Sequence, residues 1–392
     1  MKKFILLILL IGASASVHSQ ALTDFLLELE ENNPQLIALQ KWLNAEATKA
    51  KTGIYPDNPE VSYSYLTGSP EAIGNQEEFE VSQSFKLPGY YTSKSAIQQL
   101  GYEQKKVLVE KRKREILHSA RKAWFNLIWL HKKENLLKTR NQNAKELVAL
   151  IKKGFDGGEM SKPVYDKARI FAITIQNEWR KTKTEIDITR HQLEALNGMQ
   201  SIPETPKEYP FQWQLPDMDS ILNTLTATHP ELIIARLNIK QSEEQIKHRR
   251  LESWPSFNAG FKSETILDQK LQGFHAGISI PLWQNTNKVK YAKLKVDQEK
   301  ARFMQKEYET MVRFRKLHNE VRATWDNYLQ MRSLMDNEEA SAASLVLLES
   351  GHISFAEYMM DLEMIYDSKM TFLRNEKDYF VGLSQLKVFR KP

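Results

Sequence analysis

Residues 255–281 read PSFNAGFKSETILDQKLQGFHAGISIP. Phe257, Ala259 and Phe261 alternate with Asn258, Gly260 and Lys262. After a polar loop, Phe274, Ala276, Ile278 and Ile280 alternate with His275, Gly277 and Ser279. A period of two puts an apolar face and a polar face on each strand. The arms thus read as a hairpin of strands roughly ten residues long, the length a tilted strand needs to cross a bilayer. The pattern also suits a soluble hairpin packed on a helix, so the flanking sequence has to discriminate.

The amino terminus bears on that choice. Residues 1–19 have the layout of a secretory signal, with Lys2 and Lys3 ahead of an apolar core, Phe4–Ile11. Val17 and Ser19 suit the small-residue cleavage positions. The apolar run is too short to span a bilayer comfortably, and no later stretch has the eighteen apolar residues a helical span requires. The mature chain is therefore expected to be exported without a transmembrane helix.

Composition narrows the function classes. Hydrophobic residues make up 41% and charged residues 27%, which predicts an ordered chain. The net charge of +6 comes from lysines interleaved with glutamates, which disfavours a nucleic-acid partner. No cysteine is present, excluding disulfides, thiolate metal sites and a lipid-bearing amino-terminal cysteine. The histidines lack metal-ligand spacing, and Gly157-Gly158 is not followed by the lysine of a phosphate loop. Met359, Met360 and Met364 could suggest a soft-metal path, but helical core packing is the expected role. Trp124 and Trp325 read as packing residues too. Neither a catalytic constellation, a cofactor nor a metal site is expected, so the chain does not read as an enzyme.

Self-similarity organises the rest. Asn33-Pro34-Gln35-Leu36-Ile37 returns as His229-Pro230-Glu231-Leu232-Ile233, 196 residues on. Tyr55-Pro56 returns as Trp254-Pro255. Arg121, Trp124 and Asn126 return as Arg322, Trp325 and Asn327, 201 residues on. Gly158-x-x-Ser161 with Tyr165 returns as Gly351-x-x-Ser354 with Tyr358, 193 residues on. Matches in one order predict a duplication.

Each half is expected to run helix, β pair, long helix, return helix. The first repeat covers 20–207, with a helix over Leu22–Thr52, strands at about 57–87, a long helix at 90–153 and a return helix at 161–197. The second covers 208–392, with a helix over Asp217–Glu252, strands at about 255–281, a long helix at 287–350 and a return helix at 354–387. Ser201–Trp213, rich in proline, links them. In the first β pair Val61, Tyr63 and Tyr65, then Phe79, Val81 and Phe85, form the apolar face. Each long helix would span about 95 Å. Ile116, Ala120, Ala123, Leu127, Leu130, Leu137, Ala144, Val148 and Ile151 fall on steps of three and four, interrupted at Glu134 and Asn141. The first five return as Leu317, Val321, Thr324, Tyr328 and Met331, which is a coiled-coil seam. The fold class is mainly α with a small β part. Four strands cannot close a barrel with one apolar face, so strands placed in lipid require several chains to share one.

Further residues carry a family resemblance. Ser82-Gln83-x-Phe85-x-Leu87-Pro88-Gly89 leads into the first long helix, Ile280-Pro281-Leu282-Trp283 into the second, and Ser350-Gly351-His352-Ile353-Ser354-Phe355-Ala356-Glu357-Tyr358-Met359 forms the last turn. Over the mature chain the sequence resembles the TolC family of outer-membrane efflux proteins. Its Pro-Gly is more similar to the cation-efflux (Czc/Cus-like) branch than to TolC proper. The resemblance implies a homotrimer, with four strands per chain in an outer-membrane barrel and the helices in a periplasmic tunnel. It also implies a periplasmic adaptor, an inner-membrane pump of the RND type, and efflux of drugs, metal cations or other small molecules.

The resemblance places the helix-turn tips, candidates for adaptor contact, at Gly154, Gly157, Gly158 and Ser161 and at Gly351 and Ser354. Glu357 falls where such proteins carry an acidic residue lining the closed tunnel end; the second acidic position falls on Met360, with Asp361 beside it. A ring of three carboxylates on a symmetry axis would attract cations. Ser354-x-x-Glu357 is equally a capping box, and the two roles are compatible. Two other functions stay open: an exit duct for type I protein secretion, and an exported coiled-coil scaffold or adhesion protein that would be water-soluble.

Overall fold

The computed structural model describes residues 20–205, 207–210, 214–335 and 339–387. The expected signal segment 1–19 lies outside them, as do residues 336–338 of the second long helix and parts of the link between halves. In chain order the elements are α1 (20–32), α2 (Pro34–Lys49), β1 (Glu60–Leu66), β2 (Gln76–Phe85), α3 (Pro88–Asp156) and α4 (Lys162–Leu196). Then come α5 (Met218–Thr228), α6 (Pro230–Glu252), β3 (Ser256–Ile266), β4 (Gln269–Ser279), α7 (Lys288–Met335), α8 (Glu339–Glu349) and α9 (Phe355–Lys387). The described residues form two compact units: those within Met1–Ala38, Arg112–Thr228 and Thr310–Pro392 make one, and Leu39–Lys111 with His229–Glu309 make the other.

The first helix of each half differs from expectation. Each is broken in two, between α1 and α2 and between α5 and α6, immediately before Pro34 and Pro230. Proline has no N–H to donate to the preceding turn and disfavours helical geometry in the residue before it. Asn33 makes the first break a cap. Its Oδ1 accepts from the N–H groups of Gln35 and Leu36 at 3.0 Å, and its Nδ2 donates to the Leu196 carbonyl at 2.7 Å. Its counterpart His229 caps α6 with no side-chain bond of that kind.

In the first unit the seam of α3 is buried at Ile116, Ala120, Leu127, Leu130, Leu137, Ala144 and Ile151. The corresponding row of α7 is shallower: Val321 is buried, while Leu317, Thr324, Tyr328 and Met331 are half-buried. Trp124 stacks on Phe25 at 5.1 Å, and Trp325 packs against Tyr379 at 4.4 Å and Tyr328 at 5.1 Å. Both tryptophans are packing residues. Tyr209 lies flat on Phe380 at 4.7 Å and donates to the Phe125 carbonyl at 3.1 Å, tying the link between halves to the core.

In the second unit α6 packs along α3 through polar pairs: Lys111–Glu231 at 2.7 Å, Gln104–Gln241 at 3.1 Å and Ser93–His248 at 2.9 Å. The sheet has the antiparallel order β1-β2-β3-β4. Its register gathers Val61, Tyr63, Tyr65, Phe79, Val81, Phe85, Phe257, Ala259, Phe261, Phe274, Ala276 and Ile278 on one face. Ser62, Ser64, Glu78, Glu80, Ser82, Asn258, Lys262, Glu264 and His275 share the other. The expected polar loop between β3 and β4 is instead strand up to Ile266 and again from Gln269. Leu267 and Asp268, with φ of 49° and 62°, form the two-residue turn. Two left-handed residues in succession match the twist of a tight hairpin. Its residues 262–265 are polar on both faces, with Lys262 held by Glu264 at 2.5 Å and Glu78 at 3.5 Å.

Asn33→Ala is expected to lower the thermal midpoint of the purified chain, since it strips a partner from two helix N–H groups and a carbonyl, at about 1–2 kcal/mol. The exposed Thr48→Ala should leave it unchanged. Circular dichroism melts of both variants check this.

Candidate functional site

The two helix turns expected to form tips use one backbone design. After α3, Gly157 N–H donates to the Lys153 carbonyl at 3.0 Å, Gly158 to Phe155 at 3.1 Å, and Glu159 and Met160 to Gly154 at 2.8 and 3.1 Å. After α8, Ser350 donates to Val346 at 3.0 Å, Gly351 to Leu348 at 3.1 Å, and His352 and Ile353 to Leu347 at 2.9 and 3.4 Å. Every pair in the second set is the first set moved by 193 residues. Gly158 and Gly351 hold the left-handed position, at φ of 79° and 73°. Glycine takes it without the steric cost of a Cβ.

The turns share one core. Leu147, Ile151 and Ala168 of the first hairpin pack in one cluster with Leu348, Tyr358, Leu362 and Tyr366 of the second. Phe155 stacks on Tyr165 at 5.4 Å. Burial drives the Tyr358 hydroxyl up to about 12, with Tyr366 and Glu349 adding to it, and burial also raises Tyr366. Both stay neutral at physiological pH.

Polar residues enter the second hairpin where the first is apolar. Val164 corresponds to Glu357, Ala168 to Asp361 and Ile151 to Ser344. Glu357 closes a capping box: Ser354 N–H donates to its Oε2 at 2.7 Å, and its own N–H donates to Ser354 Oγ at 3.2 Å. Those bonds hold its carboxyl below the ordinary range while it stays exposed. Ser161, with Val164 in that place, has no side-chain cap bond. Asp361 is half-buried and accepts from Ser344 Oγ at 3.2 Å, joining α9 to α8. Met360 is 66% exposed, and so is Met364 at 65%. This corrects the expected core packing for those two methionines. Tyr358, Leu362 and Tyr366, four residues apart, take the buried stripe of α9, and Met360 and Met364 lie on another; Met359 alone packs at the core edge.

One residue of this region was not anticipated. Arg140 has its side chain buried, reaches Glu363 at 2.5 Å and lies over the rings of Tyr366 at 4.6 Å and Phe171 at 5.5 Å. The interruption of the seam at neighbouring Asn141 was its one sign. The polar sheet face in the other unit carries a second unanticipated set. His275 Nε2 lies 3.3 Å from Glu80 Oε1. A Cβ on Gly260, opposite His275, would fall 2.5 Å from the imidazole Cε1, so the glycine makes room for the ring. Among the described residues no group of three or more His, Cys, Asp or Glu is arranged to hold a metal ion.

No family model matches the sequence, and no curated protein matches it. Solved structures do. The chain is similar to CusC, studied for conformational changes accompanying folding and transmembrane channel formation, with a TM-score of 0.80 and 15% identity over 94% of this chain and 91% of that one. The outer membrane protein VceC from Vibrio cholerae gives 0.78 and 13% over 94% and 95%. The CmeC outer membrane channel of Campylobacter jejuni gives 0.74 and 16% over 94% and 85%. At these identities the likeness is one of fold: the chain has the TolC-like outer-membrane channel fold.

A carboxyl held low in the folded state stabilises it above its ordinary range, here 4.5, and loses that contribution as pH falls through the lower folded value. Amide exchange in the first turn of α9 should therefore be slow at neutral pH and lose protection as the pH falls below 4.5. In Glu357→Gln it should be faster at neutral pH and lack the acid-dependent component.

Proposed function

We propose that the chain is the outer-membrane channel of a tripartite efflux system, assembled as a homotrimer. The observation that carries this is the four-stranded sheet. One face is apolar and exposed, including Phe274 at 91%, and β1 and β4 each pair on one side within the chain. Unpaired backbone groups in lipid cost several kcal/mol each, so such a sheet enters a membrane only inside a closed barrel. Three copies supply twelve strands, which suits a barrel with a water-filled interior. The polar face then lines the lumen and the apolar face meets lipid. The channel fold supports this reading, and the long helices would form the periplasmic tunnel.

The twin turns are proposed as its periplasmic end. There a periplasmic adaptor would meet Gly154, Gly157, Gly158 and Ser161 and also Gly351 and Ser354, and an inner-membrane pump of the RND type would supply the cargo. Glu357 would serve as cap and gate together. Capping keeps it ionised, exposure leaves it free to face a lumen, and threefold symmetry would make it a ring with Met360 and Asp361 beside it. Catalysis has no part in this work.

Planar-bilayer recording tests the reading. The purified protein should form discrete channels, and Glu357→Gln should lower their preference for cations over anions by roughly twofold. Absence of channels contradicts the conduit. Channels with unchanged selectivity leave Glu357 only its capping role.

A further inference from the structure

At the helix-connected end of the sheet, the last row of the apolar face is Phe85, Phe257 and Ile278. Three exposed aromatics stand just beyond the strand ends: Tyr55 ahead of β1, Trp254 ahead of β3 and Trp283 after β4. Aromatic side chains at both ends of an apolar band mark the level of lipid headgroups. A cavity of about 590 Å³ opens at this level within the same unit, and Phe85 forms part of its wall. Tyr55, Tyr90, Tyr91, Lys86 and Lys94 contribute to the rest.

The two lysines give the cavity its character. Lys86 Nζ lies 4.3 Å from the centre of the Tyr90 ring. Lys94 Nζ stands by Gly53, where an added Cβ would come within 3.8 Å of it. Both are half-buried, and neither is among the ion pairs of the described residues, whereas Lys105, Lys111 and Lys288 of the same unit each have a glutamate. Asp57 is the one acid lining the cavity and lies outside ion-pair distance of both. Ser84 and Ser256, from the polar sheet face, also line it, and Ser84 Oγ accepts from Asn258 Nδ2 at 3.3 Å.

We propose that this cavity binds the phosphate of an anionic phospholipid in the leaflet facing the helical part, with acyl chains lying along the apolar sheet face. Charge complementarity selects the headgroup: two lysines against one aspartate line a cavity large enough for a glycerophosphate, and neither lysine is ion-paired. Continuity selects a lipid over a free anion, because Phe85 belongs both to the cavity wall and to the lipid-facing row. The Lys86 ammonium rests over the Tyr90 ring, a cation–π contact that leaves its charge without a carboxylate partner. Bound lipid would fix the depth of each copy in the membrane. This inference rests on the membrane reading above.

Native mass spectrometry of the full chain released from detergent tests it, with short-chain phosphatidylglycerol as the probe. The wild type should retain the lipid, and Lys86→Gln with Lys94→Gln should weaken retention about fivefold per lysine. Lys86→Arg with Lys94→Arg should keep it, and the oligomer mass in the same spectrum shows that each variant assembles. Equal retention by the glutamine variant overturns the proposal, as does a wild type that retains none. Inorganic phosphate displacing the lipid as well as phosphatidylglycerol itself does would also overturn it, making the cavity a site for free anions. A wild type that is monomeric and soluble without detergent removes the membrane reading first, a result distinct from an assembled protein that ignores the lysines.

Discussion

Backbone groups cannot be left unpaired in hydrocarbon, and this sheet leaves two strands with a free edge. β2 and β3 are satisfied on both sides within the chain; β1 and β4 are satisfied on one. Side chains cannot compensate, because one face of these strands carries Val61, Tyr63, Phe274 and Ile278 open to their surroundings. In water such an edge and face invite aggregation. In lipid the face is welcome and the edge is not. Neighbours that supply strands would solve both problems, which is why the proposed channel is an assembly of copies.

The helical part obeys a different economy, in which duplication supplies the frame and divergence supplies the chemistry. The turns at Gly158 and Gly351 keep the same hydrogen bonds 193 residues apart, since reversing a long helix in a few residues requires a left-handed position. Around that frame the first hairpin stays apolar, with Ile151, Val164 and Ala168. The second substitutes Ser344, Glu357 and Asp361, gaining a cap and an α8–α9 tie. The acidic character of the second turn is thus stabilised locally. A charged residue that also holds its own helix end can be kept ionised at little cost in exposure.

Much of this was legible in the residues. Period-two alternation marked the β arms, and Gly158 and Gly351 marked the turns. What escaped has physical reasons. Pro34 and Pro230 were visible as a repeat signature, yet their effect as helix breaks was overridden by the helical pattern on both sides. The polar run after Phe261 reads as a loop because Lys262, Ser263, Glu264 and Thr265 are polar on both faces; the strand tolerates them where Glu264 and, across from β2, Glu78 hold Lys262. Arg140 pairs with Glu363 from 223 residues away, a distance no local pattern spans. Met360 and Met364 read as core residues because methionine often fills one; the stripe of Tyr358, Leu362 and Tyr366 already occupies that side of the helix.

Cysteine crosslinking of the two sheet edges addresses the need for neighbours directly, because the chain has no cysteine of its own. One cysteine is placed on β1, at Ser62 or Ser64, and one on β4, at Gly273, His275 or Gly277. Within one chain β2 and β3 hold these edges about 14 Å apart, beyond disulfide reach, so any bridge joins two copies. Oxidation of membranes bearing the doubly substituted protein should give covalent dimers and trimers, with nothing larger. Monomers at every pairing, or a ladder that continues past three, would refute a closed three-copy barrel.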